Sequence, residues 1–333
     1  MKLLIQLLLI ISIVYSLKFR KFLNLKHKVF LGKFFEIYNY EDEIGQPIPL
    51  FTNEGELTDD GFIYYDMFSR QVNGEKVGTI ITGETSVGKN IRYGYARIND
   101  DKFIPEHKYL VDLVHKNEAD IIVKLINFMD YDDEVNYNET EIIPLYNIKI
   151  TKMTNKESII SLEYDFINGV LRAKQSGYDG VMICLNGKNN NNLLNFFISP
   201  EINKREDEYG GKDAIDRARI LAEIIAKIRK EIGNEFPLGL LVSIPDGYLG
   251  INDDDIIVAC KNAEKSGIDF IQIDTGETPD YIQVQSENEI NGRPLLFIKK
   301  LSENIKKIPI IIIKRGILRY EDLKTLAEIG VKF

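Results

Sequence analysis

Two groups of polar residues follow apolar runs, at points where they could bind a ligand. The first is the segment 274–278, which places carboxylates and threonine hydroxyls after the run 270–274. The second is Lys314 with Arg315, which follows the run 308–313 and could hold a phosphate through charge-assisted hydrogen bonds. Polar residues at strand ends are common in barrels, so the first group does not identify a site. The sequence has no glycine-rich nucleotide loop, no His-Glu-x-x-His and no Cys-x-x-Cys.

A third group lies in the segment 199–211, which joins an apolar run to an amphipathic one. Arg205, Asp207 and Tyr209 alternate there, so a guanidinium, a carboxylate and a phenol can hydrogen-bond among themselves. Further residues fix the bends of the loop, by a locked φ or by tolerance of positive φ. They are Pro200, Asn203, Gly210 and Gly211. The segment is therefore predicted to be an ordered loop.

Strand and helix patterns alternate along the chain. Runs that are apolar throughout predict strands at 28–34, 77–82, 121–126, 180–184, 238–243, 270–274 and 308–313. Apolar residues at helical spacing predict helices at 105–116, 154–177, 214–231, 253–265, 294–306 and 321–329. Fully apolar strands separated by amphipathic helices predict a parallel sheet covered by helices.

The composition is that of a globular protein that does not bind nucleic acid. Hydrophobic residues make up 44%, and the net charge is -9 with both signs interspersed.

The uncharged run 3–17 is too short to span a bilayer, which favours a signal peptide at 1–16 over an uncleaved anchor. We therefore expect the secretory pathway or an extracellular location, and Asn138 begins a glycosylation sequon. Cys184 and Cys260 are predicted to be buried free thiols.

The amino-acid sequence of the segment 199–211 is more specific than an ordered loop requires. It reads Ser-Pro-x-x-Asn-x-Arg-x-Asp-x-Tyr-Gly-Gly, with Asp-Arg-x-Arg at 216–219 and Gly-Tyr-Asp-Gly-Val at 177–181. These motifs resemble the Old Yellow Enzyme family of NAD(P)H:flavin oxidoreductases. The resemblance covers about 25–333. It implies an α/β fold, a flavin mononucleotide-binding (β/α)8 TIM barrel, as a single domain at 17–333.

The number of predicted strands falls short of a closed barrel. Seven strands are predicted before the sequence reaches Val331, so we expect the eighth β/α unit to be missing or truncated. An unclosed barrel exposes the edges of strands one and seven, and exposed edges pair with other chains. We therefore expect a protein partner or an oligomer at these edges, or poor solubility.

The resemblance implies roles for residues at the strand ends. Lys124 takes the position of a family glutamine that hydrogen-bonds the flavin ring. Leu241 takes the position of a family arginine that faces the flavin. Lys124 could place a positive charge near the electron-rich edge of the flavin, but a solvated lysine is the simpler interpretation. Leu241 leaves the negative charge of a reduced flavin without its partner. Gly316 matches a glycine that lets the backbone approach the phosphate, beside Lys314 and Arg315.

The family also places its substrate-binding residues after strand four. A pair of histidines, or histidine and asparagine, holds the substrate carbonyl, and a tyrosine donates a proton. By counting back from the loop, these positions fall on Gly187, Asn190 and Asn192. No histidine and no tyrosine lies between strand four and the loop. Asparagines can donate hydrogen bonds to a carbonyl, but they cannot supply a proton.

Two functions from different classes remain open. The favoured one is a secreted, non-catalytic member with no cofactor, because several flavin and substrate positions are replaced together while the loop motif is kept. The alternative is an active FMN-dependent oxidoreductase, in which NAD(P)H reduces the flavin and the flavin reduces an activated alkene or another small carbonyl-activated substrate. No metal site is predicted.

Overall fold

A computed structural model describes residues 29–31, 34–36, 40–41, 47–48, 50–70, 77–89, 95–128, 156–185, 192–274, 287–313 and 331–332. The strands are β1 (Val29–Leu31), β2 (Phe34–Glu36), β3 (Tyr40–Glu41), β4 (Pro47–Ile48), β5 (Thr79–Ser86), β6 (Ala96–Arg97), β7 (Asp120–Ile126), β8 (Gly180–Leu185), β9 (Leu238–Ser243), β10 (Phe270–Asp274), β11 (Ile310–Ile313) and β12 (Val331–Lys332). The α-helices are α1 (Asp59–Arg70), α2 (Ile104–Lys116), α3 (Lys156–Ser176), α4 (Leu193–Ile198), α5 (Ala214–Arg217), α6 (Arg219–Ile232), α7 (Asp253–Ser266) and α8 (Glu287–Asn304).

The parallel strands form one curled sheet. Its order is β12-β1-β11-β10-β9-β8-β7-β5-β2, with β6 paired to β5 at the side, and β3 and β4 form a separate antiparallel pair. Only Gly32 and Lys33 separate β1 from β2, so strands near opposite ends of the sheet lie within about 11 Å of each other. No pairing among the described residues joins the two ends. The predicted fold, an unclosed α/β barrel, is confirmed.

The expectation that the edges of strands one and seven are exposed is wrong. β1 pairs with β11, in the register Val29 to Ile310 through Leu31 to Ile312, so strand one and the seventh predicted strand pair with each other. Val331–Lys332 pairs in parallel with the other edge of β1 as a two-residue strand, in agreement with the predicted truncation of the eighth unit. A strand carries hydrogen-bonding groups along two edges, so β1 can pair on both sides.

The alternation of side chains along the strands separates an outer core from an inner one. On β7, Ile121, Val123 and Leu125 belong to the core that packs against the helices, whereas Ile122 and Ile126 point into the barrel. The inner cluster consists of Ile81, Ile122, Ile126, Phe128, Met182, Cys184, Leu241, Phe270 and Ile311, with Tyr95 packed against it. Both faces of the sheet are apolar, which is why these strands read as continuous hydrophobic runs.

Several helices differ from the sequence prediction. The predicted helix at 214–231 is broken at Ala218 into α5 and α6. Helices α1 and α4 were not predicted. Ile160 and Leu171 are apolar residues of the predicted helix at 154–177, but they are exposed on α3. The predicted helix at 321–329 lies outside the described residues, as does the predicted signal peptide.

Two further expectations can be compared with the described part of the chain. Cys184 and Cys260 are both buried and unbridged, as predicted. Among the helices that the structure describes, none combines the length and apolar character needed to cross a membrane.

Candidate functional site

Lys124 lies inside the barrel. It sits on β7 between the inward residues Ile122 and Ile126, and its side chain is 0% exposed. The interpretation of Lys124 as a solvated strand-end lysine is therefore wrong, because the period of two along the strand forces this position inward. Its Nζ lies 3.4 Å from Oε1 of Glu84 on β5. A buried ammonium is costly without a counter-charge, and the Glu84 carboxylate provides one.

A bulge in β5 places Glu84 opposite Lys124. The register pairs Ile81 with Ile122 and then Glu84 with Lys124, so β5 advances by one residue more than β7. In a regular ladder the residue opposite Lys124 would be Gly83. The extra residue turns the Glu84 side chain towards the lysine, and that side chain is 14% exposed.

Two hydroxyl groups satisfy the backbone donors at the bulge. Thr82 Oγ1 accepts a hydrogen bond from the backbone N–H of Lys124 at 3.2 Å and donates to the carbonyl of Gly83 at 2.7 Å. The phenol of Tyr65, on α1, accepts from the backbone N–H of Gly83 at 3.3 Å. Tyr65 is 0% exposed, and burial raises the pKa of its phenol well above the usual value. The bulge is thus held by both its own strand and a helix.

Leu241 occupies the inner face of β9. It is 0% exposed, and it belongs to the inner apolar cluster with Cys184 and Ile311. The ladder pairs it with Cys184 on one side and with Gln272 on the other. An apolar side chain in this place packs the barrel interior and offers no charge to a ligand.

Gln272 is a buried polar residue that the sequence analysis did not single out. It lies on β10 between Ile271 and Ile273, both of which pack outward, so its side chain points into the barrel. It is 0% exposed, and among the described residues neither its Nε2 nor its Oε1 has a hydrogen-bond partner. An unpaired buried amide costs free energy, so this residue weakens the barrel interior.

Asn192 serves as the N-cap of α4. Its Oδ1 accepts from the backbone N–H of Leu194 at 3.1 Å, and its Nδ2 donates to the carbonyl of Cys184 at 2.7 Å. The side chain therefore ties α4 to the end of β8 and is buried. The other predicted site residues lie outside the described residues, namely Asn190, Lys314, Gly316 and the sequon residue Asn138.

The loop at 199–211 is ordered, as predicted, but by a partly different set of bonds. Nε of Arg205 donates to Oδ1 of Asp207 at 2.8 Å, which is the predicted contact. The phenol of Tyr209 donates instead to Oε2 of Glu223, on α6, at 2.9 Å. Asn203 does not take positive φ. Its Nδ2 bonds the carbonyls of Phe197 and Tyr209, which closes the loop.

The glycine pair of this loop also divides its roles. Gly211 has a φ of +92°, as a tight turn requires. Gly210 does not take a positive φ. A Cβ on Gly210 would lie 2.4 Å from Cβ of Arg205, so close approach explains this glycine.

Arg217 fastens the loop to the next unit of the barrel. It is buried, and its guanidinium donates to the carbonyls of Ile198, Gly211 and Lys212. It also forms an ion pair with Asp255 in the first turn of α7. The acidic first turn of α7 stabilises the helix N-terminus, and Asp255 also takes part in a capping box with Asn252.

A second polar cluster lies between β5, α1 and α2. His107 Nε2 bonds the carbonyl of Arg97 at 2.8 Å, so this nitrogen carries the proton. Nδ1 therefore accepts from the hydroxyl of Tyr178 at 2.7 Å. Burial lowers the pKa of His107 to about 4, and burial also raises the pKa of Glu106. Thr82 and Tyr65 line the same small pocket, which therefore adjoins the bulge.

Sequence reasoning missed Glu84, Tyr65 and Gln272. One signal for Glu84 was present, because Gly83 directly follows the predicted strand 77–82 and a glycine in a strand indicates a bulge. Nothing in the sequence identified the Tyr65 phenol as the acceptor for the backbone N–H of Gly83. Among the residues that the structure describes, no group of three or more His, Cys, Asp or Glu could hold a metal ion.

Comparison with known proteins assigns a family to this barrel. The sequence model of the NADH:flavin oxidoreductase / NADH oxidase family matches residues 53–311, which span β5 to β11 and include the loop at 199–211. The chain belongs to this family. Membership implies a site for flavin mononucleotide at the barrel.

Curated relatives of this family resemble part of the chain. A metal reductase from Desulforamulus reducens is 29% identical over 68% of this chain and 34% of its own length. An NADPH dehydrogenase from Listeria welshimeri is 30% identical over 67% of this chain and 64% of its own length. The chain thus spans about a third of the first relative and somewhat less than two thirds of the second.

Solved structures of the family show the same fold. The Old Yellow Enzyme homologue from Zymomonas mobilis matches with a TM-score of 0.63 and 16% identity, over 91% of this chain and 85% of that one. Morphinone reductase matches with a TM-score of 0.61 and 15% identity, over 91% and 80%. At such identities the likeness extends to the fold alone.

The described residues do not fit the flavin at the positions that the resemblance gives. The Lys124 ammonium is engaged by the Glu84 carboxylate, and Leu241 brings an apolar group where a cation is expected. Neither position offers an uncompensated positive charge to a reduced flavin. The phosphate positions Lys314 and Gly316 lie outside the described residues.

Proposed function

We propose that this chain is a non-catalytic member of the NADH:flavin oxidoreductase family, in which the family barrel is kept and the flavin and substrate positions serve the scaffold. The proposal is based on three residues at flavin or substrate positions of the family, each of which makes contacts that stabilise the fold. Lys124 is buried in an ion pair, Leu241 packs the inner core, and Asn192 caps α4.

The substrate side supports the same proposal. Asn192 stands at the position that the resemblance gives to the proton-donating tyrosine, and an amide cannot donate a proton to a substrate. Its Oδ1 and Nδ2 already bond Leu194 and Cys184. A barrel without a proton donor at this place lacks general-acid catalysis for reduction of an activated alkene.

A second candidate function is the active oxidoreductase, and one observation favours it. Lys124 carries a positive charge inside the barrel at the position of a flavin-contacting residue, and several relatives are NADPH dehydrogenases. In this case FMN is the cofactor, and NAD(P)H and a small carbonyl-activated substrate are the partners.

A flavin-retention experiment decides between the two. The purified chain is mixed with flavin mononucleotide, passed through a desalting column, and examined by visible absorbance, with NADPH added under anaerobic conditions. The non-catalytic proposal expects a folded, colourless protein or a retained flavin that NADPH does not bleach. A retained flavin that NADPH bleaches overturns it.

We further propose that the protein enters the secretory pathway, on the strength of the uncharged run at 3–17. The expectation is that expression in a eukaryotic host yields a secreted product whose first residue is Leu17, with a glycan on Asn138 that an amidase removes. N-terminal sequencing of the product tests this. Retention of residues 1–16 on a membrane-bound product contradicts it.

A further inference from the structure

We propose that Glu84, turned inward by the bulge in β5, is the residue that excludes the flavin ring from this barrel. The inference rests on the proposed function, because it supplies a physical cause for the loss of the cofactor. It concerns a residue that replaces none of the family positions considered above.

The position of Glu84 brings its carboxylate to the place that the ring would need. Lys124 stands where the family has a glutamine that bonds the ring, and Glu84 Oε1 lies 3.4 Å from Lys124 Nζ. A group that bonds the Lys124 ammonium at about 2.8 Å therefore lies within about 6 Å of this carboxylate.

The chemistry of the carboxylate opposes such an approach. An ionised carboxylate only accepts hydrogen bonds, and the electron-rich edge of a flavin also presents acceptors. Two acceptors cannot bond each other, and the negative charge repels an anionic reduced ring. The ion pair also draws the Lys124 ammonium towards Glu84, which reduces its availability to a ligand.

The carboxylate is held in place rather than free to move aside. Its backbone belongs to a bulge that is held from two sides. The Thr82 hydroxyl accepts a hydrogen bond from the backbone N–H of Lys124 on β7, and the Tyr65 phenol of α1 accepts one from the backbone N–H of Gly83. The paired ladder of β5 and β7 continues on both sides of the bulge, from Thr79 to Ser86. Because the backbone at Glu84 is fixed, it cannot shift to move the carboxylate aside. A ligand would therefore have to break the ion pair between Glu84 and Lys124.

The test compares affinities for flavin mononucleotide and for riboflavin, measured by quenching of flavin fluorescence. The variant Glu84→Gln removes the charge and keeps the shape of the side chain. We expect it to bind both flavins at least tenfold more tightly than the wild type. Riboflavin lacks the phosphate, so a gain with both ligands places the effect at the ring.

A matched control and a second variant keep the test decisive. Glu163 is also a buried carboxylate paired with a lysine, Lys227, but it lies on α3 outside the barrel. Glu163→Gln is expected to stay within about twofold of the wild type. If Glu84→Gln alone is unstable because Lys124 loses its counter-charge, the double variant Glu84→Gln with Lys124→Gln restores a neutral pair. It is expected to show the same gain.

The outcomes separate the inference from the proposed function. Folded Glu84 variants with wild-type affinity overturn the inference, and so does a gain confined to flavin mononucleotide. The proposed function depends instead on whether NADPH bleaches flavin bound to the wild type. A wild type that binds and reduces flavin, together with a tenfold gain in Glu84→Gln, would refute the proposed function and keep Glu84 as a determinant of flavin affinity.

Discussion

At the scale of single residues, Gln272 is a source of instability inside the barrel. Both polar atoms of its amide are buried, and neither has a partner in the part of the chain that the structure describes. Replacing it with methionine, which has a similar shape, removes the unpaired groups, so we expect Gln272→Met to raise the free energy of unfolding by about 1–3 kcal/mol. Urea denaturation measures this change.

A control for this variant lies on the surface. Gln175 is exposed on α3, and Gln175→Met is expected to change the stability by no more than about 0.5 kcal/mol. A loss of stability in Gln272→Met would contradict the prediction and show that the amide has a partner in solution.

His107 makes the stability depend on pH. Its pKa is about 4 in the folded protein, against an ordinary value of 6.5 in the unfolded chain. Below pH 6.5 the unfolded chain takes up the proton first, so stability is present above pH 6.5 and is lost as the pH falls towards 4. The expected loss is about 3 kcal/mol. Denaturation midpoints between pH 7 and 4 measure it.

The variant His107→Gln tests the assignment of this pH dependence. It is expected to be less stable than the wild type at neutral pH and to lose less stability on acidification. An unchanged slope in His107→Gln would refute the assignment.

At the scale of elements, Arg217 joins the loop at 199–211 to α7. Its ion pair with Asp255 has both side chains at most 5% exposed. Arg217→Met leaves the Asp255 carboxylate buried without its partner, so we expect a loss of about 3–5 kcal/mol. Thermal or urea denaturation provides the measurement.

The matched control is Arg219→Met. Arg219 pairs with Asp216 where both side chains are 41% exposed, and such pairs contribute only about 0–1 kcal/mol. Equal losses for the two arginines would mean that the buried ion pair does not fasten the loop to α7.

At the scale of the whole molecule, the segment that carries β1 and β2 brings the two ends of the sheet together. β1 pairs with β11 and β12, and β2 pairs with β5. Removal of residues 1–36 would expose the edges of β11 and β5 at once. We expect this truncated chain to aggregate or to form oligomers, as exposed edges do.

Sedimentation of the two truncated forms tests the role of this segment. A chain without residues 1–16 keeps β1 and β2, and we expect it to keep the solubility and denaturation midpoint of the full chain. A soluble, monomeric chain without residues 1–36 would show that the pairings of β1 and β2 are dispensable.

The sequence by itself determined the fold and the scaffold loop. Apolar strands and amphipathic helices depend on local periodicity, which is why β9 and β10 were predicted with the bounds that the structure has. The loop motif at 199–211 identified the family because its polar residues make bonds over short separations, such as Arg205 to Asp207.

Only the tertiary structure decided which polar side chains meet inside the barrel. The pairing of Glu84 with Lys124 spans two strands and requires a one-residue bulge, and the Tyr65 phenol that holds the bulge comes from a helix that the sequence analysis missed. The burial of Lys124 and the pairing of β1 with β11 likewise depend on strand order. Local patterns carry no information on strand order or on which side chain of the opposite strand a bulged residue meets, because both are set by packing across the whole sheet.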